Sequence, residues 1–262
     1  MPKHIFFKRS LALCAALCVL TSLAACKKSD AEIQKQNEIQ KNVSELRQEE
    51  NQKNVGTTAE TGDKVTDLAA EQEKIMALKG VTNEILLKRW REAAIAGDSV
   101  VDAILEYDLL DKSKVFAKIG ISVKSADEVI QRMEAVQPGI IFLAFGLNDM
   151  ELYKDKTERF IKDYTACIEK IKQAVPMAKI YVCAITPVTE AALKKTPDYA
   201  NRDAYNAALK EMCKTQSIDF LDASFILEQN PKLFDKDGIH PKKSYYPRWL
   251  TFLADMAGVE DA

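Results

Sequence analysis

The sequence predicts an α/β domain built on a doubly wound, mainly parallel β-sheet. Short apolar runs rich in Val, Ile and Ala alternate with longer stretches of helical periodicity, a pattern typical of βα units. Polar residues suited to chemistry follow the ends of these runs. The N-terminal third has a different composition, so the folded domain is predicted to span residues 84–262.

Five apolar runs have the length and composition of strands. The predicted strands are 93–96, 115–119, 140–145, 179–185 and 218–221. The predicted helices between and after them are 100–107, 125–136, 157–174, 199–214 and 245–256. The helix at 125–136 is the best defined, because Ser125 offers an N-cap, one face is apolar, and Gln137-Pro138-Gly139 stops it.

The carboxyl ends of the predicted strands gather the reactive residues at one edge, where open parallel sheets hold their sites. The segments that follow the strands are Gly97-Asp98-Ser99, Gly120, Gly146-Leu147-Asn148-Asp149, Thr186-Pro187-Val188 and Asp237-Gly238-Ile239-His240. A nucleophile, donors for an oxyanion and an Asp/His pair are therefore expected to lie together.

Ser99, His240 and Asp237 are the predicted catalytic residues. A serine needs a base to take its proton, and His240 is the only histidine after a leader containing His4 is removed. Asp237, three residues earlier, can accept a hydrogen bond from Nδ1 of the histidine. An oxyanion hole is predicted from the Ser99 amide, Gly120 and the side chain of Asn148.

The four blocks around these residues resemble those of the SGNH or GDSL hydrolase family, which supply serine, glycine, asparagine and histidine in this order. The resemblance runs from residue 90 to the end of the chain. It implies a flavodoxin-like three-layer α/β/α sandwich with a five-stranded sheet, ester hydrolysis through an acyl-enzyme, and neither metal nor cofactor. Val100-Val101 differs from the residues that usually follow the serine in the first block. This difference is expected to affect the fit of the substrate more than the chemistry.

Other polar and aromatic residues near these blocks are given structural roles. Asp98 and Asp149 are predicted to bind nearby loop amides, and Trp90 and Trp249 are predicted to pack in the core. Thr186, Pro187 and Val188 are candidates for the lining of an acyl pocket. Gly-rich phosphate loops and the G-x-S-x-G elbow are absent from the sequence.

The N-terminus reads as a secretion signal at residues 1–25, with basic residues, an apolar run and then Leu23-Ala24-Ala25-Cys26. These last four residues resemble the lipobox of bacterial lipoproteins, which implies cleavage before Cys26 and lipidation of its thiol. The protein is therefore expected to be extracytoplasmic and anchored to the membrane by lipid. Residues 26–83 are polar and free of aromatics, and are predicted to form a flexible, partly helical tether; a coiled-coil stalk is the alternative.

The charge of the chain limits the classes of partner it can bind, and the positions of its cysteines predict their state. Removing the leader leaves 34 basic and 39 acidic residues, which argues against a nucleic-acid partner. Cys167, Cys183 and Cys213 lie among apolar residues and are predicted to be buried free thiols.

The predicted function is hydrolysis of a short acyl ester, such as an acetyl group, on a small molecule or polysaccharide. An acyltransferase for envelope sugars and a lipid-directed esterase are alternatives within the same chemistry. A non-catalytic carbohydrate-binding lipoprotein is the alternative from another class. The oligomeric state is open.

Overall fold

The sheet is five-stranded and entirely parallel in the computed structural model, which describes residues 70–78 and 82–259. Its strands are β1 (Ala93–Gly97), β2 (Val115–Ala117), β3 (Ile140–Ala144), β4 (Lys179–Cys183) and β5 (Asp219–Leu221). They lie in the order β2-β1-β3-β4-β5, which is the flavodoxin-like order. The predicted fold class is confirmed.

Nine α-helices are defined between residues 82 and 259. They are α1 (Asn83–Arg89), α2 (Ser99–Glu106), α3 (Asp127–Val136), α4 (Leu147–Tyr153), α5 (Thr157–Ala174), α6 (Glu190–Lys195), α7 (Arg202–Gln216), α8 (Phe225–Glu228) and α9 (Tyr246–Met256). Short 3₁₀ helices cover Val123–Ser125, Pro197–Asn201 and Pro231–Leu233.

The helices cover both faces of the sheet and complete a three-layer sandwich. On one face α5 contacts α3 and α7, and on the other α1 contacts α9. Tyr107 at the end of α2 packs on Tyr246 of α9, with ring centroids 5.4 Å apart. The sheet is buried between these layers, since every residue of β1 is buried and right-handed βα crossovers place helices on both sides.

Aromatic side chains fill the core along the sheet. The Trp90 ring lies 5.1 Å from Phe142, which stacks on Tyr181 at 5.2 Å. Trp249 is 2% exposed and stacks on Tyr245. The predicted packing roles of Trp90 and Trp249 are therefore confirmed. Cys167, Cys183 and Cys213 are buried free thiols, as predicted.

Two local predictions differ from the structure. Helix α3 begins at Asp127 with Ala126 as its N-cap, and Ser125 instead forms a hydrogen-bonded box with Ser122 around a preceding 3₁₀ helix. Strand β2 ends at Ala117, and Ile119, predicted as its last residue, is 73% exposed. An edge strand with one neighbour has little to hold it beyond the three pairs it makes with β1.

Residues 70–77 are helical and pack on the domain. Ile75 is fully buried, and Lys74 Nζ lies 2.9 Å from the Asp255 carboxylate of α9. Asp255 also pairs with Arg89 of α1. The predicted leader, Cys26 and most of the predicted tether lie outside the described residues. Within the described residues no helix is both long and apolar enough to cross a membrane.

Candidate active site

The carboxyl ends of β1 and β3 meet at one edge of the sheet because the two strands pair in register. Gly97, the last residue of β1, lies opposite Ala144, the last residue of β3. A Cβ atom at Gly97 would lie 2.4 Å from the Ala144 carbonyl oxygen and 2.4 Å from a methyl group of Val101. Only glycine lets β3 and α2 approach this closely, and so Gly97 sets where the next two residues emerge.

Ser99 is the first residue of α2, directly after the cap. Asp98 accepts a hydrogen bond from the Val100 amide at 3.0 Å and so caps the helix. The helix N-terminus supplies backbone amides and partial positive charge around the serine. Ser99 is half-buried, so its hydroxyl sits on a fixed turn that solvent can reach.

His240 and Asp237 meet Ser99 as a continuous hydrogen-bonded chain. His240 Nε2 lies 2.9 Å from Ser99 Oγ, and His240 Nδ1 lies 2.6 Å from Asp237 Oδ2. With Nδ1 protonated toward Asp237, Nε2 is free to accept the serine proton. The geometry is that of a nucleophile, a base and a group that orients the base.

Asp237 is held by its own loop. Its Oδ1 atom accepts hydrogen bonds from the Ile239 amide at 2.9 Å and the His240 amide at 3.0 Å. Partial burial acts to raise the pKa of Asp237, but the hydrogen bonds from the His240 ring and the two amides outweigh it and the pKa is lowered. The carboxylate is therefore kept charged beside the imidazole.

The two other predicted oxyanion donors lie on neighbouring segments that contact each other. Gly120 is exposed, with φ of 74°, on the loop after β2. Asn148 is half-buried in the first turn of α4, and its Nδ2 atom donates to the Ile121 carbonyl at 3.0 Å. An NH₂ group has two N–H bonds, and Ile121 uses one of them. Their role at an oxyanion stays a prediction.

Asp149 binds an amide of the loop after β2, as predicted, whereas Asp98 caps α2 through the Val100 amide. Both carboxyl groups are much more deeply buried than a surface turn requires. Burial raises the pKa of Asp98 to about 6. Burial also raises the pKa of Asp149 to about 7, and repulsion from Asp98 adds to the effect. Asp149 accepts from the Val123 amide at 3.1 Å.

The predicted pocket residues lie after β4, close to the nucleophile turn. Thr186 lines a small cavity of about 10 Å³ together with Asp98, Leu147 and Trp249. A cavity of this size has room for about one water molecule, so an acyl group does not fit inside it. Pro187 is buried and Val188 half-buried, and a role for the three in acyl binding stays a prediction.

The segment after these residues contacts the site and was missing from the predictions. Thr189 caps α6 and its amide donates to the Gly238 carbonyl at 2.9 Å. Tyr199 donates to Glu151 of α4 at 2.8 Å. Thr189 followed by Glu190 and an apolar run is a helix-start signal in the sequence, but nothing in the sequence indicates contact with the histidine loop.

A large groove elsewhere in the described part of the domain does not contain the site. It measures about 690 Å³ and runs between α5 and α7, past Ile161, Ala208 and Met212. A large pocket is the usual first candidate for an active site. The lining of this groove, however, has no nucleophile paired with a base. No group of His, Cys, Asp and Glu side chains in the described residues is arranged to hold a metal ion.

The chain is similar to one protein family in sequence and to several solved structures in fold. The sequence profile of the GDSL-like Lipase/Acylhydrolase family matches residues 82–246. A protein from Streptococcus pneumonia, provisionally described as a platelet activating factor, has a TM-score of 0.52 at 18% identity over 76% of this chain and 99% of its own. A provisionally described GDSL-like lipase from Parabacteroides merdae has a TM-score of 0.50 at 18% identity over 67% and 99%. A search of curated proteins finds no match.

Proposed function

Since this chain belongs to the GDSL-like lipase/acylhydrolase family and is an SGNH-type ester hydrolase, we propose that Ser99, His240 and Asp237 are its catalytic triad. The observation that carries the proposal is the hydrogen-bonded chain from Ser99 Oγ through the His240 ring to Asp237. Such a chain converts a weakly nucleophilic hydroxyl into the attacking group of an acyl transfer.

The reaction proceeds in two balanced steps. Ser99 Oγ bonds to the ester carbonyl carbon while His240 Nε2 takes the serine proton, and Asp237 stabilises the imidazolium. The C–O bond to the alcohol then breaks, and His240 returns the proton to the departing oxygen. Water next attacks the acyl-serine, with His240 again accepting and returning a proton, which releases the carboxylic acid and regenerates Ser99.

The oxyanion formed in each step is stabilised by three donors in this proposal. The Ser99 amide lies at the N-terminus of α2, Gly120 contributes its backbone amide, and Asn148 contributes the N–H bond that Ile121 does not use. Removing a single such donor typically costs about 3 kcal/mol of transition-state stabilisation.

A short acyl group on a small molecule or polysaccharide is the proposed substrate. Two larger cavities, between α5 and α7 and between α7 and α9, contain none of the site residues. Neither offers a long acyl chain a channel beside Ser99. The half-exposed position of His240, with 38% of its side chain accessible, suits a small acyl group carried on a bulky alcohol that stays in solvent.

The test uses the purified chain with a series of p-nitrophenyl esters from acetyl to octanoyl. We expect turnover to be highest with the acetyl ester and to be abolished in Ser99→Ala. Ser113→Ala is the control, because Ser113 lies at the amino ends of the strands, just before β2. A fluorophosphonate probe should label Ser99 alone. Unchanged turnover in Ser99→Ala, or no labelling, would contradict the triad and favour a non-catalytic carbohydrate-binding protein. Acyl transfer to added sugars would identify an acyltransferase, and a preference for octanoyl would identify a lipid-directed esterase.

We also propose that the enzyme is held outside the cytoplasm by lipid on Cys26, with the residues up to the domain as a tether. Support comes from the Leu23-Ala24-Ala25-Cys26 sequence after an apolar leader. Replacing Cys26 by Ser should release the protein from membranes, whereas Cys167→Ser should not. Continued membrane retention of the Cys26→Ser chain would contradict the anchor.

A further inference from the structure

Asp149 connects the first turn of α4 to the loop that carries Gly120. Its Oδ1 atom accepts the Val123 amide at 3.1 Å, and its side chain is completely buried. The neighbouring Asn148 donates to the Ile121 carbonyl of the same loop at 3.0 Å. The helix therefore accepts one hydrogen bond from the loop through Asp149 and donates one to the loop through Asn148.

The turn that carries Ser99 is also hydrogen-bonded to the start of α4. Asp98 is 2% exposed and binds the Val100 amide of α2, and hydrogen bonding from the Leu147 amide also stabilises its charged form. Leu147 is the residue directly before Asn148. Asp98 and Asp149 therefore bind amides on three separate segments, which are those of Ser99, Gly120 and Asn148.

Two carboxyl groups at these positions are costly for the fold. Burying a carboxyl group without full compensation destabilises a protein, and the Oδ2 atom of Asp149 is buried with no hydrogen-bond partner among the described residues. The mutual repulsion of Asp98 and Asp149 adds to the cost. An apolar side chain of similar size would avoid this penalty, so packing alone does not account for Asp149.

We propose that Asp149 is a positioning residue of the oxyanion hole. Through the Val123 amide it fixes the loop after β2 against α4, so that the Gly120 amide and Asn148 Nδ2 act on the same substrate oxygen. The inference rests on the proposed function, because it assigns Asp149 a part in the reaction of Ser99. Asp149 does not touch the substrate and acts only through the loop.

Three variants of the full-length chain test the two ends of this hydrogen bond. Asp149→Ala removes the acceptor, and Val123→Pro removes the donor. Proline suits the second site because Val123 is the first residue of a 3₁₀ helix and Ser122 before it is extended, with ψ of 163°. Asp149→Asn keeps an acceptor oxygen of the same reach and serves as the conservative variant.

We expect kcat for the acetyl ester to fall about 10- to 100-fold in Asp149→Ala and in Val123→Pro with little change in KM, because misplaced donors weaken transition-state binding. Asp149→Asn should stay within about threefold of the wild-type kcat, a difference under 1 kcal/mol. Fluorophosphonate should still label Ser99 in every variant, more slowly in Asp149→Ala and Val123→Pro, which shows that the domain is folded.

Several outcomes would overturn the proposal. They are a wild-type kcat in Asp149→Ala or Val123→Pro, a loss found mainly in KM, and an equal loss of kcat in Asp149→Asn and Asp149→Ala. A wild-type chain that neither turns over esters nor reacts with fluorophosphonate is a different result, since it contradicts the proposed function before the variants are compared.

Discussion

The Nε2 atom of His240 lies 2.9 Å from the Oγ atom of Ser99, although 141 positions separate the two residues in the chain. Ser99 is fixed at the start of α2, whereas His240 lies on a loop before α9. The bond therefore depends on how that loop is held. Within the loop the Asp235 amide donates to the His240 carbonyl at 2.8 Å, and from outside the Thr189 amide donates to Gly238.

Asp237→Asn should lower kcat/KM by about 10³- to 10⁴-fold, because an amide can present its NH₂ group to Nδ1 and leave the histidine in the wrong tautomer. The turn itself should survive, since an Asn oxygen can still accept from the Ile239 and His240 amides. Steady-state kinetics on the acetyl ester measure the effect. Asp235→Asn is the matched control, because the Asp235 carboxylate binds the Lys236 amide of the same loop. Equal losses in the two variants would argue against a triad.

Asn148→Ala should lower kcat about 10²- to 10³-fold with a smaller change in KM, as expected when a donor acts on the transition state. The change also breaks the bond to the Ile121 carbonyl. Asn83→Ala provides a control for the loss of such a bond, because Asn83 Nδ2 donates to the Asp108 carbonyl at 2.9 Å away from this edge of the sheet. A kcat for Asn148→Ala similar to that of Asn83→Ala would show that Asn148 has no part in the oxyanion hole.

Gly238→Ala should displace the histidine loop. Gly238 has φ of 75°, and a Cβ atom there would lie 2.0 Å from Thr189 Oγ1. We expect kcat/KM to fall about 10- to 100-fold, since small displacements of catalytic groups have effects of this size. Gly258→Ala is the control, because Gly258 has φ of 68° with open space around it, and it should cost only about 1 kcal/mol of stability for the left-handed backbone.

A second substitution examines the cause of the Gly238→Ala defect. Thr189→Ala removes the hydroxyl that the new methyl group meets, so the double variant should recover part of the lost kcat/KM. No recovery, together with wild-type activity in Thr189→Ala alone, would show that the strained backbone rather than the contact displaces the loop.

The strands were predictable because each contains a short apolar run. Strands β1 and β2 are buried along their whole length, whereas β4 and β5 begin with the exposed residues Lys179 and Asp219. All five predicted strands are present, with ends that differ by a few residues. The short helices α1, α4, α6 and α8 were missing from the predictions, since four to seven residues give too little periodicity to separate them from loops. Helix α4 also begins inside the Gly146–Asp149 block, whose residues were assigned to a catalytic motif rather than to a helix.

The residues of the site could be predicted from the sequence, but the hydrogen bonds that join their segments could not. The rule that parallel strands carry their sites at the carboxyl ends brought Ser99 and His240 together. The bond from Asp149 to Val123 and the contact of Thr189 with Gly238 join segments far apart in the chain. Their partners depend on how the loops pack, which neither composition nor periodicity encodes.

The two buried carboxyl groups should make the fold less stable as the pH rises. The pKa of Asp98 is raised from 3.8 to about 6 and that of Asp149 from 3.8 to about 7. Between the unfolded and folded values the folded chain binds more protons than the unfolded chain, so the free energy of unfolding falls through this window. Asp237, whose pKa is lowered, has the opposite effect, but its window lies below its ordinary value.

Asp149→Asn removes one of these titrations and should change the pH profile in a defined direction. Relative to the wild-type chain, the variant should gain stability between pH 4 and pH 8, by at most about 4 kcal/mol for a pKa raised from 3.8 to about 7. Urea unfolding at several pH values measures the difference, with Asp102→Asn on the half-exposed face of α2 as control. Parallel profiles for the wild-type chain and Asp149→Asn would mean that Asp149 is ionised throughout and that another group compensates its charge.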